Sequence, residues 1–333
     1  MTVRFAVLGA GRIGRVHANA IASVPGATLV AIADPLAAAA EAIRAAHGCE
    51  IRTIEAIEAA KDVDAVVICT PTDTHADLIE RFVKAGKAVF CEKPVDLSLA
   101  RVKDCIKAVA KAKGVLMVGF NRRFDPDFMA VKAAIDAGRV GKVEMVTITS
   151  RDPGPPPYDY ITRSGGIFRD MTIHDFDMAR WLLGEEIETV QAAASVLTDK
   201  TIGELGDFDS VNVILRTASG RQCVITNSRR ATYGYDQRIE VLGSLGMVSA
   251  RNQTENNIET ADKAGFHTSP LLNFFMSRYT AAYANEIAAF VASVRDGAAT
   301  PTTGQDGLLA LALAEAALKS VKEARSVKVA EVL

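Results

Sequence analysis

No stretch of the chain approaches the ~20 consecutive apolar residues that a membrane span requires, so no transmembrane helix is expected. An excess of charge of one sign is missing too. The 38 Lys and Arg against 40 Asp and Glu leave a formal net charge of −2, which speaks against a nucleic-acid binder or a protein drawn to an anionic membrane. Cysteines are few and odd in number (Cys49, Cys69, Cys91, Cys105 and Cys223), with no CxxC spacing. That argues against a disulfide framework and a Cys/His zinc site, and fits reduced thiols in the cytoplasm. The opening MTVRFAVLGAG has too short an apolar stretch for a signal peptide. There is no internal repeat, and no low-complexity tract beyond alanine-rich helices. At 333 residues, 49% of them hydrophobic, the chain is globular and too long for one small core, so two domains are expected.

The first chemistry-bearing stretch follows at once. Val3 to Leu8 is a β-type run leading into Gly9-Ala10-Gly11-Arg12-Ile13-Gly14, and helical periodicity continues through Val16, Ala20 and Ile21. A GxGxxG between a strand and a helix has a physical use. The first glycine permits the tight turn, the second lets a pyrophosphate approach the backbone, and the third lets helix pack on strand. The helix N-terminus then offers N–H groups and a positive dipole end to phosphate. A second strand, Thr28 to Ala33, ends at Asp34, about 20 residues on, where a carboxylate accepts the ribose hydroxyls of an adenosine. No Arg or Lys immediately follows Asp34, so NAD is preferred over NADP. A glycine turn with no ligand is the structural alternative.

The β/α rhythm continues through strands Ala65 to Cys69, Ala88 to Cys91 and Leu116 to Gly119, with helices between. This implies a parallel sheet with ligand groups at the carboxyl ends of its strands; Thr70, Glu92 and Lys93 stand at such ends. Beyond residue 120 the pattern changes. A helix (Pro126 to Ala137), a long strand (Lys142 to Arg151) and a helix near 170–183 precede strands in close succession: Ile187 to Leu197, Asp209 to Thr217, Arg221 to Ser228, Gln237 to Gly243 and Met247 to Ala250. Hairpin turns are expected at Ala218-Ser219-Gly220 and at Gly243 to Gly246. The expected fold is therefore α/β: an N-terminal Rossmann dinucleotide-binding domain over 1–120, then an α+β domain over 121–333 with a large, mostly antiparallel open sheet. Two closing helices, Tyr279 to Val294 and Gly307 to Ala324, are free to pack back on the first domain.

The stretch GGIFRDMTIHDFDMARWLLG, from Gly165 to Gly184, organises the second domain. Asp170 reads as a helix N-cap, with apolar residues at helical spacing until Gly184 stops the run. Asp170 and His174 are i and i+4, one turn apart on one face. A carboxylate there orients an imidazole and raises its basicity; a capping Asp beside a satisfied His is the bland alternative. Asp175 and Asp177 read as surface or packing polar groups.

These stretches resemble the Gfo/Idh/MocA oxidoreductase family over nearly the full length: GAGRIG with Asp34, TPTDTH at 70–75, Glu92-Lys93-Pro94, and Asp170-x-x-x-His174. Within it the closest likeness is to the inositol 2-dehydrogenases, carried by GFNRRFDP (119–126), SRDPGPPP (150–157), GGIFRDMTIHDFDMARWL (165–182) and YGYDQR (233–238). The resemblance implies an NAD-dependent oxidation of a CH–OH group, myo-inositol to its 2-ketone. Another cyclic polyol or sugar, or a regulator without turnover, is the alternative. It implies His174 as general base, Lys93 as the cation near the reacting hydroxyl, and Asp170 as partner of His174 or of an adjacent hydroxyl. Unperturbed imidazole titrates near ~6.5, which suits a base at neutral pH. It also implies a cis Lys93–Pro94 bond. The cofactor set is Gly9, Gly11, Arg12, Ile13, Gly14, Asp34, Thr70, Pro71, Thr72, His75, Glu92, Lys93 and Arg122. His75 reads equally well as a helix N-terminal residue with no ligand. The substrate set is Lys93, Arg122, Asp152, Asp170, Thr172, His174 and Tyr235, with Arg123 and Tyr233 as alternatives to their neighbours and Tyr283 as a further candidate. No metal is implied. The sheet of the second domain implies a homotetramer, or a dimer; in the sequence, the apolar alternation Val211 to Leu215 and Val224-Ile225 fits either a subunit interface or a buried intrachain face.

Overall fold

In the computed structural model, which describes residues 2–333, the chain divides into two compact units. One holds the chain up to Asp125 together with Thr280–Leu311; the other holds Pro126–Tyr279 with Ala312–Leu333.

The first unit runs β1 (Val3–Leu8), α1 (Arg12–Ser23), β2 (Ala27–Ala33), α2 (Ala37–His47), β3 (Glu50–Ile51), α3 (Ile54–Ala59), β4 (Ala65–Ile68), α4 (His75–Lys84), β5 (Ala88–Glu92), α5 (Leu99–Ala112) and β6 (Leu116–Gly119). The strands lie in the order β3-β2-β1-β4-β5-β6, every neighbouring pair parallel. Apolar runs make this possible. Phe5 to Leu8, Ala65 to Ile68 and Val89 to Cys91 are buried throughout, as strands with helices on both faces must be. Each fully buried Val, Leu, Ile or Phe contributes roughly 1.5–3 kcal/mol, so these strands form the core. The order reverses between β1 and β4, which makes their carboxyl ends the ligand edge of the sheet.

The second unit continues with α6 (Pro126–Asp136), β7 (Val143–Arg151), α7 (Tyr158–Ser164), α8 (Ile167–Asp170), α9 (Thr172–Leu183), β8 (Ile187–Ser195), α10 (Lys200–Glu204), β9 (Ser210–Thr217), β10 (Gln222–Ser228), β11 (Asp236–Gly243), β12 (Gly246–Ala250), β13 (Glu259–Asp262), β14 (Gly265–Thr268) and α11 (Phe275–Arg278). Then come α12 (Thr280–Asp296), counted with the first unit, α13 (Gly304–Glu323) and β15 (Val327–Lys328). The larger sheet has the order β12-β11-β7-β10-β9-β8-β15. Only β7 and β10 run parallel; the other pairs are antiparallel. Alternation sets its two faces. In β9, Val211, Val213 and Leu215 are buried, whereas Ile214 is 48% exposed. The buried face is therefore intrachain, and α9 lies against β7 and β10. The open face still shows Met145, Ile214, Leu242 and Met247. No helix among the described residues is long and apolar enough to cross a membrane.

One expected detail comes out differently. Asp170 is not an N-cap: it ends α8, and α9 starts from Met171, which makes no side-chain cap bond. Met171 itself has helical backbone angles (φ −96°, ψ −58°), so the chain stays helical through the joint and nothing calls for a cap there. Of the two readings of Asp175 and Asp177, packing is the one observed; both are buried.

Asp209 ties the loop between β8 and α10 to β9. Its carboxylate accepts from the backbone N–H of Leu197, Thr198 and Asp199 and from the hydroxyl of Ser210, at 2.8–3.0 Å. Burial alone would push this carboxyl up, but the backbone donors outweigh it and hold it at about 2. A folded-state value below the unfolded ~3.9 contributes stability that is present above pH ~4 and is lost as pH falls toward 2. Asp209→Asn, which turns an amide NH2 toward N–H donors, is expected to lower Tm by several degrees at pH 7. The gap to the unmodified protein should narrow between pH 4 and 3 in thermal melts; a constant gap would contradict the assignment.

Candidate active site

Candidate residues occur in both units. In the first, the glycine motif joins β1 to α1, and each glycine is needed for a different reason. Gly9 has φ +97°, and a Cβ there would lie 2.7 Å from the carbonyl oxygen of Cys69. A Cβ on Gly14 would lie 1.9 Å from the Gly9 oxygen, so only glycine lets α1 sit this close to the turn. A Cβ on Gly11 would meet nothing within 4 Å; open space here is what a pyrophosphate approaching the backbone requires. No side chain caps α1 and its first turn has no acid, which leaves its N-terminal N–H groups and dipole for an anion. Arg12 is exposed and Ile13 half-buried at this end.

Asp34 follows β2 directly. Its two oxygens accept from the backbone N–H of Ala10 (2.6 Å) and Leu36 (2.7 Å). A carboxylate offers about four lone-pair sites, so the bonds that orient Asp34 still leave acceptors for a ribose diol. The residues present therefore fit a dinucleotide.

At the ends of β4 and β5 the structure separates groups that the sequence reading had placed together. Thr70 donates through its hydroxyl to Thr74, which donates to the Pro71 carbonyl, closing the turn over Thr72–Thr74. His75 opens α4 and is buried, with ring nitrogens 2.8 Å from the carbonyl oxygens of Pro94 and Thr70. Glu92 ends β5, but its carboxylate turns toward α1 and lies 2.6 Å from Nε2 of His17. His75 and Glu92 thus brace the loops around the expected cofactor groups; both polar ends of His75 face backbone, so it does not offer a nitrogen to a ligand. Lys93, next along the strand, is half-buried, and its bond to Pro94 is cis. In the turn after β6, Arg122 is buried, while Arg123 pairs with Asp306 (3.0 Å) and donates to the Pro301 carbonyl. Arg123 therefore serves the fold, and Arg122 keeps the candidate role.

In the second unit, Asp170 and His174 lie on the α8–α9 segment. Asp170 accepts from the Tyr160 hydroxyl (2.8 Å), and Arg229 lies 3.4 Å from its other oxygen. The buried Arg229 also reaches Asp207 at 3.4 Å. A fully buried guanidinium flanked by two carboxylates is tolerated because each charge answers the other. Asp175 accepts from the Ser150 hydroxyl (2.7 Å) and from the Asn227 side-chain amide (2.8 Å). Thr172 is buried and donates to the Asn227 side-chain oxygen (2.7 Å); its donor belongs to this network and is not available to a substrate hydroxyl. Asp152 is half-buried beyond β7, its N–H bonded to the Ser228 carbonyl. Tyr235 is buried edge-on against Phe274 and Tyr279, whereas exposed Tyr233 donates to Asp236 and accepts from Arg151.

Sequence reasoning missed Tyr160, Ser150, Asn227 and Arg229. Only Ser150 lies in a quoted stretch, SRDPGPPP, and nothing in that stretch points to a helix partner; each of the four meets the α8–α9 segment from another element. A cavity of about 470 Å³ on the open face of β9 and β10, lined by Asn212, Thr226 and Ser228 among others, contains none of the candidate catalytic residues.

A parallel-sheet unit built to take a dinucleotide, in a chain that also presents an Asp/His pair, defines a nicotinamide-dependent oxidoreductase. Residues 3–120 match the model of an oxidoreductase family with NAD-binding Rossmann fold, and residues 128–249 match that of the GFO/IDH/MocA C-terminal domain. The chain belongs to the Gfo/Idh/MocA family. It is 67% identical, over 99% of its length and 100% of the relative, to an inositol 2-dehydrogenase of Rhizobium meliloti. Its structure is similar to that of a myo-inositol dehydrogenase from Corynebacterium glutamicum (TM-score 0.95, 43% identity, 98% of this chain and 99% of that one). It is also similar to that of a scyllo-inositol dehydrogenase from Lactobacillus casei with bound NAD(H) and scyllo-inositol (TM-score 0.92, 27% identity, 99% and 100%).

Asp34→Ala removes both the candidate ribose acceptor and the bond to Ala10. NADH affinity is expected to fall about tenfold, the size of one lost charge-assisted bond, and the gap between NADH and NADPH to narrow. Fluorescence titration with both cofactors reads this; unchanged affinity for both would refute the ribose role.

Proposed function

We propose that the chain is an NAD-dependent inositol dehydrogenase that oxidises myo-inositol to 2-keto-myo-inositol. The observation that carries this reading is the 67% identity to an inositol 2-dehydrogenase along essentially the whole chain, with Lys93, Asp170 and His174 all in place. NAD, when bound, accepts the hydride from the carbinol carbon. Oxidation of CH–OH to C=O releases one hydride and one proton, and His174 takes the proton from the hydroxyl oxygen. Asp170, steadied by Tyr160 and Arg229, favours the imidazolium that results. The Lys93 ammonium lowers the energy of the developing alkoxide, which eases loss of the proton. Arg122, Asp152 and Tyr235 are the proposed contacts to the remaining hydroxyls. These roles require no metal.

We also propose a homotetramer, with a dimer as the smaller alternative. The apolar side chains on the open face of the second sheet support it, since isolated exposed apolar groups are ordinary but a sheet face of them calls for cover. Five free, buried cysteines suit the reducing cytoplasm.

Initial rates of NADH formation with NAD and a panel of myo-inositol, scyllo-inositol, D-chiro-inositol, glucose and levoglucosan test the reading, with NADP in parallel. Preference for myo-inositol with NAD is the expected outcome. Preference for scyllo-inositol would move the substrate toward that of the Lactobacillus casei protein, and silence across the panel would refute the activity. Lys93→Ala and His174→Ala are each expected to lose on the order of 10³-fold in kcat while still binding NADH; normal turnover in either variant would remove that residue from the mechanism.

A further inference from the structure

The first unit buries three titratable side chains in a row. His17, on α1, has Nε2 2.6 Å from Oε1 of Glu92 and Nδ1 4.0 Å from Oε1 of Glu286 on α12. His17 and Glu286 have no exposed side-chain surface, and Glu92 has 12%. Among the described residues, neither oxygen of Glu286 nor Nδ1 of His17 has a hydrogen-bond partner. Buried polar atoms without partners are costly, so their persistence asks for a use.

What packs around the row is mostly apolar. Phe90 and Tyr283 stand edge-on to the imidazole, with centroids at 5.1 and 5.5 Å. Tyr283 is itself titratable, and Cys69 lies close enough to feel the charges of Glu92 and Glu286; burial raises its thiol well above its ordinary range and those charges add to it, so it supplies no thiolate. Burial likewise pushes the Glu286 carboxyl well up, with the Glu92 charge adding to it, which leaves Glu286 a neutral acid. Opposite Glu92 on β6 is Gly119, where a Cβ would lie 3.2 Å from the Glu92 carboxyl and from the Phe90 ring.

One histidine and two carboxyls whose ligand atoms lie within 4.8 Å of one another also invite comparison with a metal site, but the imidazole turns opposite nitrogens to the two carboxyls, 2.6 Å from Glu92 and 4.0 Å from Glu286, and a hydrogen-bonded row uses all three groups as they stand. Hydrogen positions along the row follow from the chemistry. The Nε2–H donates to the Glu92 carboxylate, Nδ1 is then an acceptor, and the neutral acid of Glu286 is the donor that faces it.

We propose that His17 and Glu286 are positioning residues for Lys93: by holding the Glu92 carboxylate inside the fold, they fix the strand end from which the lysine side chain starts. The proposal rests on the catalytic reading of Lys93 given above. Without His17, Glu92 is a buried carboxylate with no donor on its inner oxygen, and it turns outward toward the space Lys93 serves.

Four variants of the full-length protein test this: His17→Leu, His17→Gln, Glu286→Leu and Glu286→Gln. His17→Leu is expected to lower kcat about tenfold or more while NADH affinity stays within about twofold. His17→Gln keeps an N–H for Glu92 and is expected to recover most of the loss. Glu286→Gln, neutral like the acid it replaces, should stay within about threefold of the unmodified kcat, and Glu286→Leu should not. A second readout does not depend on turnover. The rate of acetylation of Lys93 relative to the other lysines, by mass spectrometry, should change in His17→Leu and return in His17→Gln. This measurement stands even if no polyol is oxidised, so failure of the substrate reading and failure of the positioning role are told apart. Unchanged kcat and labelling in His17→Leu would overturn the proposal. So would loss of NADH binding in parallel with kcat, His17→Gln as impaired as His17→Leu, or one equivalent of metal in the purified protein.

Discussion

The carboxylate of Asp175 is the pin of the second unit. Buried on α9, it accepts one hydrogen bond from Ser150 on β7 and one from Asn227 on β10, residues that face each other across the only parallel pair of the large sheet. Thr172 bonds the same asparagine from the first turn of the helix. Four side chains thus lock one helix to two strands, and His174 sits between two of the locked positions. Loss of any partner would strand a buried polar atom, so the arrangement is held in one geometry by the cost of its alternatives. The base proposed here, His174, gains from such a mounting more than from strength in any single bond.

The two sheets solve the burial problem in opposite ways, and each solution leaves a different kind of functional surface. Parallel strands covered on both faces keep their chemistry for the carboxyl ends, where Gly9 to Gly14, Asp34, Thr70 and Lys93 stand. The alternating strands of the second unit keep one face for α9 and leave the other open. That is why the candidate catalytic residues of this unit sit on the helix rather than on the sheet.

The dinucleotide site was legible because its determinants are local: a strand, three glycines and an acid at fixed spacing. Lys93 and the Asp170/His174 pair stand out through their immediate neighbours in the chain, and their roles are those proposed above. Legibility ended where a side chain has a partner remote in sequence. Asp170 looks like a cap, yet its partners are Tyr160 and Arg229. Glu92 and His75 look like cofactor residues, yet they turn to His17 and to backbone carbonyls. Nothing local to Thr172 announces Asn227. Short elements were equally silent: β13 and β14 are exposed ribbons without alternation, and β15 is two residues long.

The close approach at Gly119 has a consequence for the shape of the strand end beside it. A Cβ there would lie 3.2 Å from the Glu92 carboxyl, already bonded to His17, and from the buried Phe90 ring, so either neighbour would have to shift by a few tenths of an ångström. The room in which Glu92 sits is thus set as much by an atom missing from the neighbouring strand as by the partner that holds its carboxylate.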